Sequence, residues 1–190
     1  MDIVLASSSP RRIELMEMLG VKNLKILPAR GEEVPPEHAD GPALVMALAA
    51  AKAREVASRC GPKDLVIGAD TIVWVDGAPF GKPRSEAEAA RMLRRLSGDC
   101  HTVYTGVAVL HGGQETVEYE ESRVWFRELS DDEIARYIAT GEPMDKAGAY
   151  GAQGLGALFV RAIEGDFFNV MGLPLCHLGT MLKKQGVELL

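Results

Sequence analysis

The chain has 190 residues, 47% of them hydrophobic and 25% charged, with a formal net charge of -6 at pH 7. That is the profile of one soluble globular domain, residues 1–190, whose core needs no staples. The acidic balance argues against a protein that grips a nucleic-acid backbone, which needs a basic face, but it leaves room for a nucleotide enzyme in which a few cations converge on one ligand.

Cys60, Cys100 and Cys176 are far apart and form no CxxC, so neither a disulfide framework nor a zinc site is expected. The N-terminus lacks a signal-peptide pattern, and the longest apolar run, Ala43 to Ala51, is too short to cross a bilayer. The expectation is a cytoplasmic protein with no membrane partner. His38, His101, His111 and His177 show no HxxxH or HExxH spacing, and none is assigned to a metal.

In chain order, Asp2 to Ala6 reads as a short buried strand. Ser7-Ser8-Ser9-Pro10-Arg11-Arg12 follows, with Ser9 a good N-cap and Pro10 suited to the first helical position. The helix runs to Gly20. A strand that passes through hydroxyls into a helix start is an anion site by construction, because free N–H groups and the positive end of the dipole face the loop. Arginine is unfavourable there unless an anion compensates it, and Arg11 and Arg12 supply bidentate donors for phosphate. The plainer alternative is a capped helix with two solvated arginines.

Leu24 to Leu27 reads as a second short strand, and Gly31 to Glu37 as an acidic, Pro-bearing loop whose acids bind a metal or face water. Asp40-Gly41-Pro42 opens a helix over about Ala43 to Arg59, with Leu44, Leu48, Ala51 and Glu55 along one side. Lys52 sits among alanines, free to reach into a cleft or to stand exposed on the helix. Leu65-Val66-Ile67 then delivers Asp70. A second strand-like run, Thr71 to Val75, meets Asp76-Gly77, a strong hairpin signal, and the return ends at Gly81-Lys82-Pro83. An acid and a lysine brought to the end of a sheet suit a metal-bound phosphate; a capping Asp and a solvated Lys are the alternative.

Ser85 to Glu88 reads as a capping box for a helix to Leu96. Cys100 to Leu110 and Thr116 to Arg127 form an antiparallel hairpin across His111 to Gln114. Ser130 to Glu133 is a second box, for a helix to Ala139. Glu142 to Gly156 is a long glycine-rich loop, a length that usually signals function, and Gln153 within it carries both a donor and an acceptor for a base edge. Ala157 to Ile163 reads as a strand, and Phe168 to Pro174 leads into a terminal helix ending near Lys184.

Taken together, Leu5-Ala-Ser-Ser-Ser-Pro-Arg-Arg12, Leu48-Ala-Ala-Ala-Lys-Ala53, Gly68-Ala-Asp-Thr71 with Gly81-Lys-Pro83, Leu96-Ser-Gly98 with His101, Tyr104-Thr-Gly-Val107, Gly141 to Tyr150, Gln153-Gly154 and Val170 to Leu175 resemble the Maf family of nucleoside triphosphate pyrophosphatases. The pieces come in the family's order and cover nearly the whole chain. The resemblance implies a two-lobed α/β fold similar to inosine triphosphate pyrophosphatases, with a long twisted mixed sheet flanked by helices and the active site in the cleft. It implies hydrolysis between the α- and β-phosphates, a divalent cation (Mg2+ or Mn2+) and a homodimer.

By the same resemblance, Ser8, Arg11 and Arg12 bind substrate, Lys52, Asp70 and Lys82 serve catalysis, and Glu33 and Asp70 hold the metal. Arg12, Thr71 and Gln153 match the branch that acts on dTTP and UTP; a branch acting on 7-methyl-GTP commonly carries Glu at the position of Gln153. An amide pairs with the O4/N3–H edge of uracil or thymine. Competing expectations are a house-cleaning enzyme for inosine or modified purine triphosphates, and a non-catalytic nucleotide-binding regulator of cell division.

Overall fold

A computed structural model describes residues 1–31 and 34–189. Its seven-stranded mixed sheet has the order β2-β1-β3-β5-β6-β7, with β4 paired to β3. The strands are β1 (Ile3–Leu5), β2 (Leu24–Ile26), β3 (Leu65–Val75), β4 (Ala78–Phe80), β5 (Cys100–His111), β6 (Gln114–Phe126) and β7 (Val160–Glu164). The helices are α1 (Pro10–Met18), α2 (Gly41–Ala57), α3 (Glu86–Leu96), α4 (Asp131–Ala139), α5 (Phe167–Met171) and α6 (Leu175–Lys184). The chain divides into two compact units, and β3, β5 and β6 each contribute residues to both.

The first unit comprises Met1–Asp70, Thr105–Glu120 and Gly172–Leu190. Here β1 is parallel to both β2 and β3, in the register Leu5 to Ile26 and Leu5 to Ile67. All three residues of β1 are buried, as a continuous apolar run in a parallel sheet requires. Asp40 caps α2 by accepting from the Ala43 N–H, as its sequence suggests. The side grouped by the spacing of α2 is only partly buried, however. Ala51 is exposed, and the buried line runs through Val45, Ala49, Ala53 and Val56, with Leu44 and Leu48 beside it. The cause is backbone contact: a Cβ on Gly68 would lie 2.4 Å from the Ala49 carbonyl oxygen, and one on Gly106 would lie 2.3 Å from that of Val45. The small residues of α2 therefore face strand glycines, and the helix rests directly on the sheet.

The second unit comprises Thr71–Tyr104 and Glu121–Met171. The Asp76-Gly77 hairpin forms as expected, with φ of 52° and 78° at its two central residues and Val75 opposite Ala78. The Ser130 capping box of α4 is complete. At α3 only half of the box forms, because Ser85 accepts from the Glu88 N–H while the Glu88 carboxylate takes the N–H of Arg84 instead. The core holds an aromatic cluster in which His101, Tyr150, Phe126, Phe159 and Tyr137 meet edge to face. His101 Nε2 and the Tyr150 hydroxyl share a hydrogen bond of 2.8 Å. Burial pulls the His101 pKa down to about 4, so the imidazole is neutral.

The segment read as one loop, Glu142 to Gly156, is wound into 3-10 turns at Glu142–Asp145 and Ala147–Ala149, and a third turn follows at Leu155–Leu158. The strand expected from Ala157 therefore starts only at Val160. The Glu142 carboxylate accepts the Leu155 and Gly156 N–H groups, and this winds the backbone before the strand begins. The run read as leading into the terminal helix contains α5, and Pro174 separates it from α6. Among the described residues no helix is long and apolar enough to cross a membrane.

Candidate active site

Three elements of the first unit carry candidate residues. Past the pairing of Leu5 with Ile67, the Ala6 N–H still donates to the Ile67 carbonyl, 2.7 Å away, and then the two parallel strands part. One continues into Ser7-Ser8-Ser9 and α1, the other into Gly68-Ala69-Asp70. The Ser/Arg loop and Asp70 thus leave neighbouring strands from the same end, each within three residues of the last pair.

Ser9 occupies the N-cap position of α1 but its side chain makes no capping hydrogen bond. The buried Ser7 takes the organising role instead. Its Oγ accepts the Ser9 N–H at 3.2 Å and the Arg12 Nη1–H at 3.4 Å. Arg12 Nε donates to the Gly172 carbonyl at 2.7 Å. Arg12 is therefore a braced guanidinium, not the solvated side chain of the plainer alternative. Ser8 is exposed and Arg11 half-buried. No acidic side chain lies in the first turn of α1.

Lys52 and Asp70 form a direct ion pair, Nζ to Oδ1 2.5 Å, with side chains only 16% and 11% exposed. The sequence left open whether Lys52 reaches inward or stands exposed on its helix; it reaches inward. The tight seat of α2 on Gly68 sets the distance, since Lys52 lies between Ala49 and Ala53 and Asp70 lies two residues beyond Gly68. Opposite charges so enclosed cost desolvation and are held by mutual attraction, so the carboxylate is fixed in direction as well as in place.

The second unit carries the remaining candidates. Thr71, half-buried, follows Asp70 along β3, and Lys82 is exposed just after β4. The Gly148 N–H donates to the Gly81 carbonyl at 3.1 Å, tying the lysine-bearing return to the glycine-rich segment. A Cβ on Gly148 would press on Val73, two residues after Thr71. Gln153 is exposed. Thr71, Lys82 and Gln153 are thus carried by mutually anchored backbone within one unit. Glu33, expected as a metal ligand, lies outside the described residues.

Sequence reasoning missed Ser7, the Gly172 carbonyl, and Tyr137 with Glu142. Ser7 stood unranked among three serines. Nothing local to Gly172 or Glu142 shows which distant N–H or guanidinium it meets.

The chain is a mixed-sheet α/β protein whose neighbouring strand ends carry a Ser/Arg helix start and an enclosed Lys–Asp pair. A profile of the Maf-like protein family matches residues 2–185, and the chain belongs to the Maf family. It is 54% identical over 189 residues to the dTTP/UTP pyrophosphatase of Moorella thermoacetica, with 98% of this chain and 96% of that one covered. It is 48% identical over 193 residues to the dTTP/UTP pyrophosphatase of Caldicellulosiruptor bescii, with 99% and 96% covered. Among solved structures, a HAM1 protein from Coxiella burnetii aligns over 66% of this chain and 73% of that one, at 18% identity and a TM-score of 0.49.

Proposed function

We propose that this protein hydrolyses dTTP and UTP to the nucleoside monophosphate and pyrophosphate. The observation that carries the reading is the enclosed Lys52–Asp70 pair on the strand next to the Ser/Arg loop. Its support from the comparisons is near full-length similarity to proteins named for that activity. A binding-only protein has no use for a positioned carboxylate that repels phosphate.

In this reading Ser8, Arg11, Arg12 and the N-terminus of α1 hold the phosphate chain, and Lys82 adds positive charge. Lys52 fixes the Asp70 carboxylate, which orients the attacking water and accepts its proton. Thr71 and Gln153 face the base, the Gln153 amide pairing with the O4/N3–H edge of a pyrimidine. A carboxylate oxygen is a hard donor of the kind Mg2+ and Mn2+ require, and such ions commonly use one or two carboxylates together with substrate phosphates. Asp70 fits that pattern, with Glu33 as the second carboxylate. Among the described residues no group of three His, Cys, Asp or Glu forms an all-protein cage. A bound cation supplies charge neutralisation on the phosphates and a more acidic water. The reading extends to a cytoplasmic homodimer, supported by the family resemblance and tested by light scattering.

The test is pyrophosphate release from a panel of canonical and modified nucleoside triphosphates, for the native protein and Asp70→Asn. Selective release from dTTP and UTP, reduced at least about 100-fold in the variant while nucleotide still binds, is the expected result. Selective release from a purine would keep the chemistry and discard the base-reading role of Gln153. Binding without release from any member would favour the regulator.

A further inference from the structure

The segment that carries Gln153 is held from within by two side chains that no part of the phosphate chemistry needs. Tyr137, on the inner face of α4, donates its hydroxyl proton to Glu142 Oε1 at 2.9 Å and accepts the Gly151 N–H at 3.3 Å. The same carboxylate takes the Gly156 N–H on Oε1 at 3.1 Å and the Leu155 N–H on Oε2 at 3.0 Å. Tyr137 and Glu142 therefore grip residues 151, 155 and 156, and Gln153 lies on the exposed stretch between the gripped ends.

The glycines show how tightly the ends close. A Cβ on Gly156 would lie 2.4 Å from the Gly151 carbonyl oxygen and 2.7 Å from the Tyr137 hydroxyl. One on Gly154 would meet the Glu142 carboxylate at 2.9 Å, and Gly154 has a φ of 93° that other residues rarely adopt. The backbone before the loop is pinned as well. Lys146 Nζ donates to the Glu142 carbonyl at 2.7 Å, and Tyr150, 5% exposed, is anchored on His101. The loop is thus a short arch closed by one carboxylate and one phenol, with an amide near its apex.

We propose that Glu142, with Tyr137, is the positioning device for base discrimination: it sets the direction in which Gln153 presents its amide. The proposal rests on the reading that Gln153 contacts the base. A planar amide discriminates donor from acceptor only if its orientation is set beforehand, because a freely rotating amide offers either group to either edge. Uracil and cytosine differ in that pattern at position 4, so the ratio of activity on UTP to activity on CTP reads the orientation directly.

The experiment measures kcat and KM for dTTP, UTP, dCTP and CTP with the native protein, Glu142→Ala, Glu142→Gln, Tyr137→Phe, Gln153→Ala and the double variant Glu142→Ala/Gln153→Ala, each first shown to be folded by circular dichroism and thermal melting. Tyr137→Phe removes one oxygen and keeps the packing of the ring, so it preserves the test should Glu142→Ala not fold. Glu142→Ala is expected to lower the UTP:CTP and dTTP:dCTP ratios of kcat/KM by about tenfold, mainly through KM for UTP and dTTP. Glu142→Gln, which keeps an acceptor oxygen, is expected to recover part of the ratio. The double variant is expected to discriminate no worse than Gln153→Ala alone.

Loss of the ratio in Gln153→Ala but native ratios in folded Glu142→Ala and Tyr137→Phe would overturn the positioning role and leave the base-reading role standing. Native ratios in Gln153→Ala would overturn both. A double variant whose losses are additive would show that Glu142 acts independently of Gln153, and would also overturn the proposal.

Discussion

Replacing Gly68 by alanine probes how the ion pair of the site is made. The added Cβ would sit 2.4 Å from the Ala49 carbonyl oxygen and 2.9 Å from both the N and Cβ of Ala53, where ordinary contact begins at 3.4 Å. Strand and helix must separate by about 1 Å, since the obstructing atoms are mostly backbone. Overpacking of this kind costs about 1–3 kcal/mol, and about 2 kcal/mol lowers Tm by about 4–8 °C in a chain of this size. The same movement carries Lys52 away from Asp70. Stretching their 2.5 Å separation to about 3.5 Å weakens the attraction by about 2 kcal/mol at an effective dielectric constant of about 20. A displacement of about 1 Å at a reacting group can cost about 100-fold in rate. Thermal melting and pyrophosphate release measured on one preparation check both effects. Gly179→Ala is the control: it lies in α6, a Cβ there meets nothing within 4 Å, and it is expected to stabilise by about 0.5–1 kcal/mol. A Gly68→Ala protein with native Tm and native kcat/KM would refute the account of how α2 places Lys52.

The remaining predictions concern charge and metal. His177 Nε2 faces Glu118 at 2.6 Å and Nδ1 faces Glu120 at 2.9 Å, while Lys184 pairs with Glu118 at 2.8 Å. Partial burial lowers the His177 pKa, but the hydrogen bonds to Glu120 and Glu118 outweigh it and the net shift is upward. A raised pKa contributes stability that is fully present below about pH 6.5 and is lost as pH rises through the folded-state value. Compared with His177→Gln, the native protein should gain up to about 1 kcal/mol at pH 6 and lose that advantage as pH rises through the folded-state value, the amount shrinking with salt because the group is partly exposed. An advantage that grows with pH would show the sign to be wrong. Removal of divalent cations with a chelator should stop pyrophosphate release, and Mg2+ or Mn2+ should restore it; release that persists after exhaustive chelation would discard the metal assignment.

Much of the fold was legible because its signals are local. The Asp76-Gly77 turn, the Asp40 cap, the Ser130 box and the all-apolar β1 each follow from the conformational preferences of a few adjacent residues. The candidates Arg12 and Asp70 stood out through chemistry that is odd in its place, arginines at a helix start and an acid at a strand end, whereas Lys52 was raised only by the family resemblance. The failures share a cause. Ser9 was expected to cap and makes no capping hydrogen bond, while Ser7 accepts from the Ser9 N–H and from Arg12. The strand expected from Ala157 starts late because the Glu142 carboxylate claims the N–H groups of Leu155 and Gly156 just before it. Ala51 faces outward because strand glycines, invisible to helical periodicity, turn a different stripe of α2 inward.

The sequence by itself determined the family, the turn and cap positions, and the residue types expected to meet phosphate. Those depend on short spacings and on the intrinsic chemistry of single side chains. Only the tertiary structure decided which distant partners hold them: Gly172 bracing Arg12 across 160 positions, Lys52 set on Asp70 by a missing Cβ at Gly68, and Glu142 closing the arch around Gln153. Backbone carbonyls and N–H groups are the same in every residue, so their pairing over long separations leaves no trace in composition or periodicity and is settled only by packing.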